Sequence, residues 1–411
     1  AEVFRNVVAQ NGSKFYEKLN DAVAAAQDGD TVKLLADTVE NIEIADVQSV
    51  ILDLNGKTLS NTEAANTITN NGSLTINDSS DNKTGKVKND NTSKAVLFNA
   101  GGATAVLNGG TFERTEPKTY YAIKNLGTMT INKGVTVNQL NESSSAVANG
   151  CQSNSEYANF DPVLTINGGT FVQGLITIKN DEHGVLEING GSFKNIKGNY
   201  TVFNWNKAVI NDGNFDANCS VGNGEYYDNG RLAASGETKI NGGTFNGTVS
   251  ADPTYPGENI KISGGSFSTD ISKYCADGYK PTKVNGKYVV GVDNSTDEIS
   301  LKFEEVDERT YDIVLFADKA IYKLNAAQFK FELAKENPAD VITYEIAPVK
   351  EMALIPKGDV YELHFDGKDG VATDSGNEVK IGTVTFDGFG KFTFGATEGK
   401  VTATTEQNNL V

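Results

Sequence analysis

The chain is poor in the residues from which most catalytic centres and metal sites are built. Its 411 residues include 2 His, 3 Cys, 1 Trp, 2 Met and 8 Pro. Arginine stands only at Arg5, Arg114, Arg231 and Arg309. Cys151, Cys219 and Cys275 are odd in number, widely spaced and form no metal signature, which leaves buried or free thiols, or one disulfide and a spare thiol. No stretch is long or apolar enough to span a bilayer. Basic residues are also in deficit, with 36 Lys and Arg against 54 Asp and Glu, a formal charge of -18. That balance excludes nucleic acid and anionic membrane as natural partners. It leaves room for a cationic partner, a metal such as Ca2+, or a neutral glycan, and no organic cofactor is called for. Ala1-Glu2-Val3 reads as a mature end left by signal-peptide removal or by trimming. With 42 Gly and abundant Asn, Ser and Thr, the expectation is a monomeric extracellular protein, secreted or attached to the cell wall.

What the chain does have is one short phrase, repeated. Leu164-Thr165-Ile166-Asn167-Gly168-Gly169-Thr170-Phe171 recurs at Leu186 to Phe193, Thr238 to Phe245 and, with Ser263 for Asn, Ile260 to Phe267. Looser copies begin at Leu52, Leu74, Val106, Met129 and Val209. With the Asn position as register (55, 77, 108, 132, 167, 189, 211, 241, 263) the spacings are 22, 31, 24, 35, 22, 22, 30 and 22. A fixed period of this size marks a solenoid, whose units bury their apolar faces only by stacking. In Leu-Thr-Ile apolar and polar residues alternate, so one side of a short strand faces inward; Asn-Gly-Gly turns the chain where positive φ is needed, and Phe faces inward again. Twenty-two residues that hold two or three strands and their turns leave no room for a helix. The expected fold is all-β, a right-handed parallel β-helix with one coil per repeat. Its coils stack about 4.8 Å apart, with Ile, Leu and Phe in the inner column and the Asn residues in a ladder.

Phe15, Leu19, Ala22, Val23 and Ala26 have helical spacing, with Ser13 as N-cap, so an N-terminal helix is expected to close the open end of the rod. Asp28-Gly29-Asp30 stops it, and Thr31 to Leu35 starts the first strand. The stretch from Phe15 to Ala26, then Gly29 to Leu35, then the Asn-Gly-Gly-Thr-Phe coils, resembles the pectin-lyase-like right-handed β-helix region of surface proteins from gut Gram-positive bacteria. The resemblance covers residues 1 to about 292; it bears on architecture and says little about ligand.

The expected organisation is an N-terminal cap at 1–36, the parallel β-helix at 37–267, a C-terminal cap hairpin at 268–292 with Asn285-Gly286 at its tip, a linker at 293–298 and a β-sandwich at 299–411. In the last part, alternating segments such as Thr310 to Leu315, Val360 to Phe365 and Val379 to Phe386 read as strands of two sheets. The order of these phrases resembles the jelly-roll sandwich of cohesin and carbohydrate-binding modules, with an immunoglobulin-like spacer as the equal alternative. The tail from Thr402 is expected to be loose.

Loops on a rigid scaffold are where binding is sought. The insertion 141–161 holds Cys151, Tyr157 and Phe160, and that between Asn211 and Asn241 holds Tyr226, Tyr227 and Arg231. The insertion after Asn77 reads as a plain solvated turn. Tyr226, Tyr227, Tyr157 and Trp205 are the candidate ligand residues, since rings flanked by carboxylates suit stacking on sugars, although rings in β-helices commonly pack on the strand below. A β-helix hydrolase needs paired carboxylates on adjacent coils as acid and base with a histidine close by, and a lyase needs a cation site of several carboxylates with an Arg or Lys base. The one cluster of acid and imidazole is Asp181-Glu182-His183, in the turn before Val185, and a solvated turn explains it more simply. His364 alternates with Leu363 and Phe365 as a sheet-surface residue. The expectation is therefore a non-catalytic surface or secreted adhesin that presents loops to a glycan or protein partner. The sandwich would be a spacer or docking module. A polysaccharide lyase or glycoside hydrolase and a passive stalk are the alternatives.

Overall fold

The structure, a computed structural model, describes residues 6–115, 120–140, 143–151, 160–293, 299–307, 310–317, 322–335, 341–345, 352–357, 360–373, 378–387 and 392–405. The chain divides into two compact units, Ala1–Val292 and Asp293–Val411.

The first unit is a parallel β-helix with three faces. On the first, the Leu-x-Ile strands pair in parallel from Asp30–Leu34 through Ser49–Asp53 and Val163–Ile166 to Asn259–Ile262. Ile131, Ile166, Ile188, Ile210, Ile240 and Ile262 occupy one inner column of that face, all buried. On the second face Phe171, Phe193, Phe215, Phe245 and Phe267 pile face to face, with centroids 4.7–4.8 Å apart and planes within 3–6° of parallel. The ring spacing equals the separation of neighbouring strands, so the column is set by coil stacking itself. Below Phe171 it continues through Val137, Phe112 and Val87.

The turn between these faces depends on its second glycine. Gly169, Gly191, Gly213, Gly243 and Gly265 all have φ between 104° and 138°. At Gly243 a Cβ would also lie 3.0 Å from the Gly213 carbonyl oxygen and 3.3 Å from the Phe245 ring. At the first glycine the constraint varies with the coil: a Cβ would collide with the Asn211 carbonyl oxygen at Gly242 and with that of Asn241 at Gly264, whereas Asp212 occupies the place in one coil and at Gly190 the nearest contact would be 3.5 Å. Gly243→Ala is therefore expected to lower unfolding free energy by about 1–3 kcal/mol, and Gly190→Ala by less than about 1 kcal/mol. Denaturant titration of the two variants distinguishes them.

Two asparagine ladders run along the rod. The outer one follows the repeat: Nδ2 of Asn108, Asn132, Asn167, Asn189, Asn211 and Asn241 each donates to Oδ1 of the Asn one coil earlier, at 2.7–3.1 Å. The second, on the third face, is fully buried and links Asn70, Asn99, Asn125, Asn149, Asn180, Asn204 and Asn223 at 2.7–3.0 Å. Each carboxamide of Asn99, Asn125, Asn149, Asn180 and Asn204 also donates to a carbonyl at the start of a first-face strand, at 3.1–3.2 Å. The third face thus stays stitched to the first at every coil.

The N-terminal helix is shorter than the apolar spacing implies. It spans Leu19–Ala24, and Lys14–Tyr16 instead pairs antiparallel with Ala9–Asn11. Ser13 does not cap it. The Glu40 carboxylate does, accepting from the Leu19 and Asn20 N–H groups at 2.9 and 3.1 Å, and Gln48 Nε2 donates to the Val23 carbonyl at 2.7 Å. Partners from the adjacent coils thus set where this helix begins and ends. The insertion after Asn77 is also no plain solvated turn. Buried Asp78 accepts from the N–H groups of Gly56 and Gly85 at 2.8 and 2.6 Å, and Lys86–Lys88 joins the second face. At the other end, the hairpin Tyr279–Val284 with Lys287–Val292 pairs antiparallel with Gly265–Phe267.

Among its described residues the second unit contains two four-stranded antiparallel sheets. Met352–Lys357 adds a strand that the alternation did not reveal. The tail is a strand as far as Thr405, because Phe392–Thr405 pairs along the length of Tyr322–Lys335.

Candidate functional site

The outward positions of the third face come from the residue between the inner apolar side chain and the buried Asn. In register these are Phe98, Lys124, Ala148, Lys179, Phe203 and Gly222. Two of them are lysines, yet Lys124 is only 4 % exposed. Its ammonium donates to the Gly150 carbonyl and lies 4.8 Å from the centroid of Tyr121. Burial holds the Lys124 amine below the ordinary lysine range, with Asp181 pulling the other way. Two coils on, Lys179 Nζ sits 2.7 Å from Asp181 Oδ1 and 5.3 Å from the Trp205 ring. Burial lowers the Lys179 pKa, but the charge of Asp181, with that of Tyr121 and the hydrogen bond to Asp181, outweighs it and the net shift is upward. Burial also raises the Tyr121 phenol.

Asp181 and Glu182 do lie in a turn, but not a solvated one: they are 0 % and 5 % exposed. A carboxylate can sit there because Lys179 faces it. Asp181 Oδ2 accepts no hydrogen bond among the described residues. His183 is half-buried and turns away, with Nδ1 3.5 Å from Asp161 Oδ1. Asp181 is thus committed to an ion pair with Lys179, and it adjoins Glu182 on one turn. This is not the arrangement of two carboxyl groups facing each other across a sugar.

Trp205 packs on Phe203, with centroids 4.1 Å apart, and Phe203 meets Tyr200 edge-on at 4.6 Å. Tyr226 is half-buried, and its phenol is raised by burial and then by the charges of Glu182 and Asp228. The structure therefore gathers Trp205, Asp181, Glu182 and Tyr226 around Lys179. Tyr227 takes a different course. It stands on the hairpin Glu225–Asp228 and Arg231–Ser235, donates its hydroxyl to Glu225 Oε2 at 2.8 Å, and pairs with Tyr255 at 5.6 Å between centroids. Tyr227 and Tyr255 are 43 % and 54 % exposed. Tyr157 lies outside the described residues.

Sequence reasoning missed Lys124, Lys179 and Tyr255. The lysines did carry a signal: Ile123-Lys124-Asn125 and Ile178-Lys179-Asn180 are the same triplet on the same face. Tyr255 is fixed by the Asp252 turn, where Oδ1 accepts from the N–H groups of Thr254 and Tyr255 at 2.8 Å. No disulfide joins the three cysteines, and Cys151 and Cys275 are buried. Burial pushes the Cys275 thiol up to about 11. Among the described residues no three His, Cys, Asp or Glu side chains gather as a metal site requires, and no helix is long and apolar enough to cross a membrane. An open depression of about 540 Å3 lies beside the N-terminal helix, lined by residues that include Gln27, Glu43, Val47 and Gln48.

No protein family matches the chain, and no curated protein does. Among solved structures it is similar to the crystal structure of the Acinetobacter phage vB_ApiP_P1 tailspike protein, at 9 % identity and a TM-score of 0.39, over 91 % of this chain and 84 % of that one.

Proposed function

We propose that the protein is a secreted or surface-attached adhesin whose β-helix presents the Tyr227 and Tyr255 rings to a glycan. The observation that carries this reading is the exposed ring pair itself. Two tyrosines on separate loops of the β-helix are held together, and one hydroxyl is fixed by Glu225. Aromatic faces with adjacent hydrogen-bonding groups suit the apolar face and hydroxyl edge of a pyranose. The charge of -18 favours a neutral sugar over an anionic one. The kinship to pectin-lyase-like surface proteins, and a spacer or docking role for the second unit as a cohesin-like or immunoglobulin-like sandwich, belong to the same proposal.

A glycan array with the full chain, followed by titration of the best ligand, tests it. Tyr227→Ala and Tyr255→Ala are each expected to weaken binding by about tenfold, the equivalent of 1.4 kcal/mol, with the unfolding midpoint unchanged. Absence of binding to every glycan, or binding indifferent to both rings, overturns the reading and leaves a passive stalk. A second reading, a polysaccharide-cleaving enzyme, is favoured by Lys124, whose amine burial keeps closer to the neutral, proton-accepting form. New chain ends released from a polysaccharide by the wild type, and lost in Lys124→Met, would establish it.

A further inference from the structure

Asparagine followed by glycine recurs throughout the chain, and this dipeptide is chemically unstable wherever the side chain can fold back on the main chain. The glycine amide nitrogen attacks the asparagine Cγ; a C–N bond forms, the Cγ–Nδ2 bond breaks, and the amide proton leaves with Nδ2 as ammonia. Water then opens the cyclic imide at either carbonyl to give aspartate or isoaspartate. No oxidant or enzyme is required, only freedom of the carboxamide to rotate onto the next nitrogen.

The two ladders remove that freedom. Asn167 Nδ2 is bound to Asn132 Oδ1 at 3.0 Å, and its own Oδ1 accepts from Asn189 at 3.1 Å. Asn241 is held on both sides in the same way, at 2.8 and 3.0 Å. In the buried ladder the attacking nitrogen is held as well: the N–H of Gly150 donates to the Asn125 carbonyl at 2.8 Å and that of Gly224 to the Asn204 carbonyl at 3.0 Å. To cyclise, any of these residues must first break the stack, which ties its reaction to local unfolding.

Two Asn-Gly steps lie outside the ladders at hairpin tips. Asn285-Gly286 joins Tyr279–Val284 to Lys287–Val292, and Asn229-Gly230 joins Glu225–Asp228 to Arg231–Ser235. All four residues have positive φ, between 49° and 80°, and both asparagines are exposed. Apart from its chain neighbours, neither glycine has a described atom within 4 Å of where a Cβ would stand, so the surrounding fold leaves space at each turn. Among the described residues the Asn229 carboxamide reaches only the adjacent Asp228, at 3.1 Å. We infer that Asn285 and Asn229 are sites at which this protein deamidates spontaneously, and that the ladders protect the Asn-Gly steps they contain from the same reaction. At Asn229 the product adds a negative charge beside Asp228 on the Tyr227 hairpin.

The test is to age the full folded chain in mildly alkaline buffer, in parallel with the same chain in denaturant, and to map both by peptide mass spectrometry. An Asn285→Ser variant identifies that site's product. In the folded chain, conversion at Asn285 and Asn229 is expected to outpace the buried Asn149 and Asn223 by more than about tenfold, and Asn167 and Asn241, whose ladder is open to solvent, by a smaller factor. In denaturant all six are expected to converge. The inference is overturned if the folded chain converts ladder and tip residues at similar rates, fast or slow, or if the ladder residues remain slow after unfolding.

Discussion

Replacing Asn180 by leucine is expected to destabilise the β-helix by about 4 kcal/mol or more, since several buried groups lose their partner at once. The Asn180 carboxamide donates to the Gly184 carbonyl at 2.9 Å, to Asn204 Oδ1 at 2.8 Å and to the Lys207 carbonyl at 3.1 Å, and it accepts from Asn149 at 2.8 Å. Asn180 is 0 % exposed, so water cannot take over these bonds without opening the coil. Leucine fills the volume and supplies none of the bonds. The control lies on the same rod. Asn189 also sits within a ladder, donating to Asn167 and accepting from Asn211 at 3.1 and 2.7 Å, but that ladder is open to solvent. Asn189→Leu is expected to cost less than about 1 kcal/mol, because water re-forms what is lost. Equal costs in denaturant titration would mean that burial and the added bonds to main-chain carbonyls, which together separate the two columns, do not govern their energetics.

That contrast also marks how far the fold could be read from residues. The outer ladder, the Phe column and the Leu-x-Ile strands were legible because they belong to one phrase whose parts keep a fixed distance. The inner ladder was not. Its members are separated by 29, 26, 24, 31, 24 and 19 residues, because insertions fall on both sides of it, and each is a lone Asn behind one apolar residue and one variable one. An isolated Asn reads as a turn former; only stacking turns it into a core residue. The N-terminal helix failed for a related reason. Phe15 fits the helical spacing but is exposed in a strand, while the residues that bound the helix, Glu40 and Gln48, come from adjacent coils.

The candidate site was half legible. Asp181 and Glu182 were visible as one cluster and Trp205 and Tyr226 as separate chemistry-bearing residues, but not the three groups as neighbours, because they come from three different coils. Reading Asp181 and Glu182 as solvated was reasonable for two acids in a turn, and it failed because Lys179 stands opposite. Seeing that requires the register of the third face, where Lys124, Ala148 and Lys179 follow one another. Periodicity revealed the inward side of that face only in its apolar members and left the outward side unread.

The Phe column carries the other large prediction. Phe215 lies mid-stack, with Phe193 and Phe245 each 4.7 Å away and 3° from parallel, and it is 0 % exposed. Phe215→Ala is expected to cost about 3–5 kcal/mol, since the neighbouring coils are fixed by the strands and cannot close over the gap. Phe215→Leu restores most of the volume and is expected to cost less than about 1.5 kcal/mol. A solenoid adds a second consequence. Each coil contacts only its neighbours, so weakening one interface uncouples the coils on either side. In the alanine variant the coils beyond residue 215 are expected to melt first, which would split one denaturant transition into two. Tyr274 and Tyr279, on the C-terminal side of the break, would enter solvent in the earlier step, and Trp205, on the other side, in the later one. If Tyr and Trp signals instead fall together and the midpoint barely moves, the ring pile is packing without consequence and the coils must be held by backbone hydrogen bonds alone.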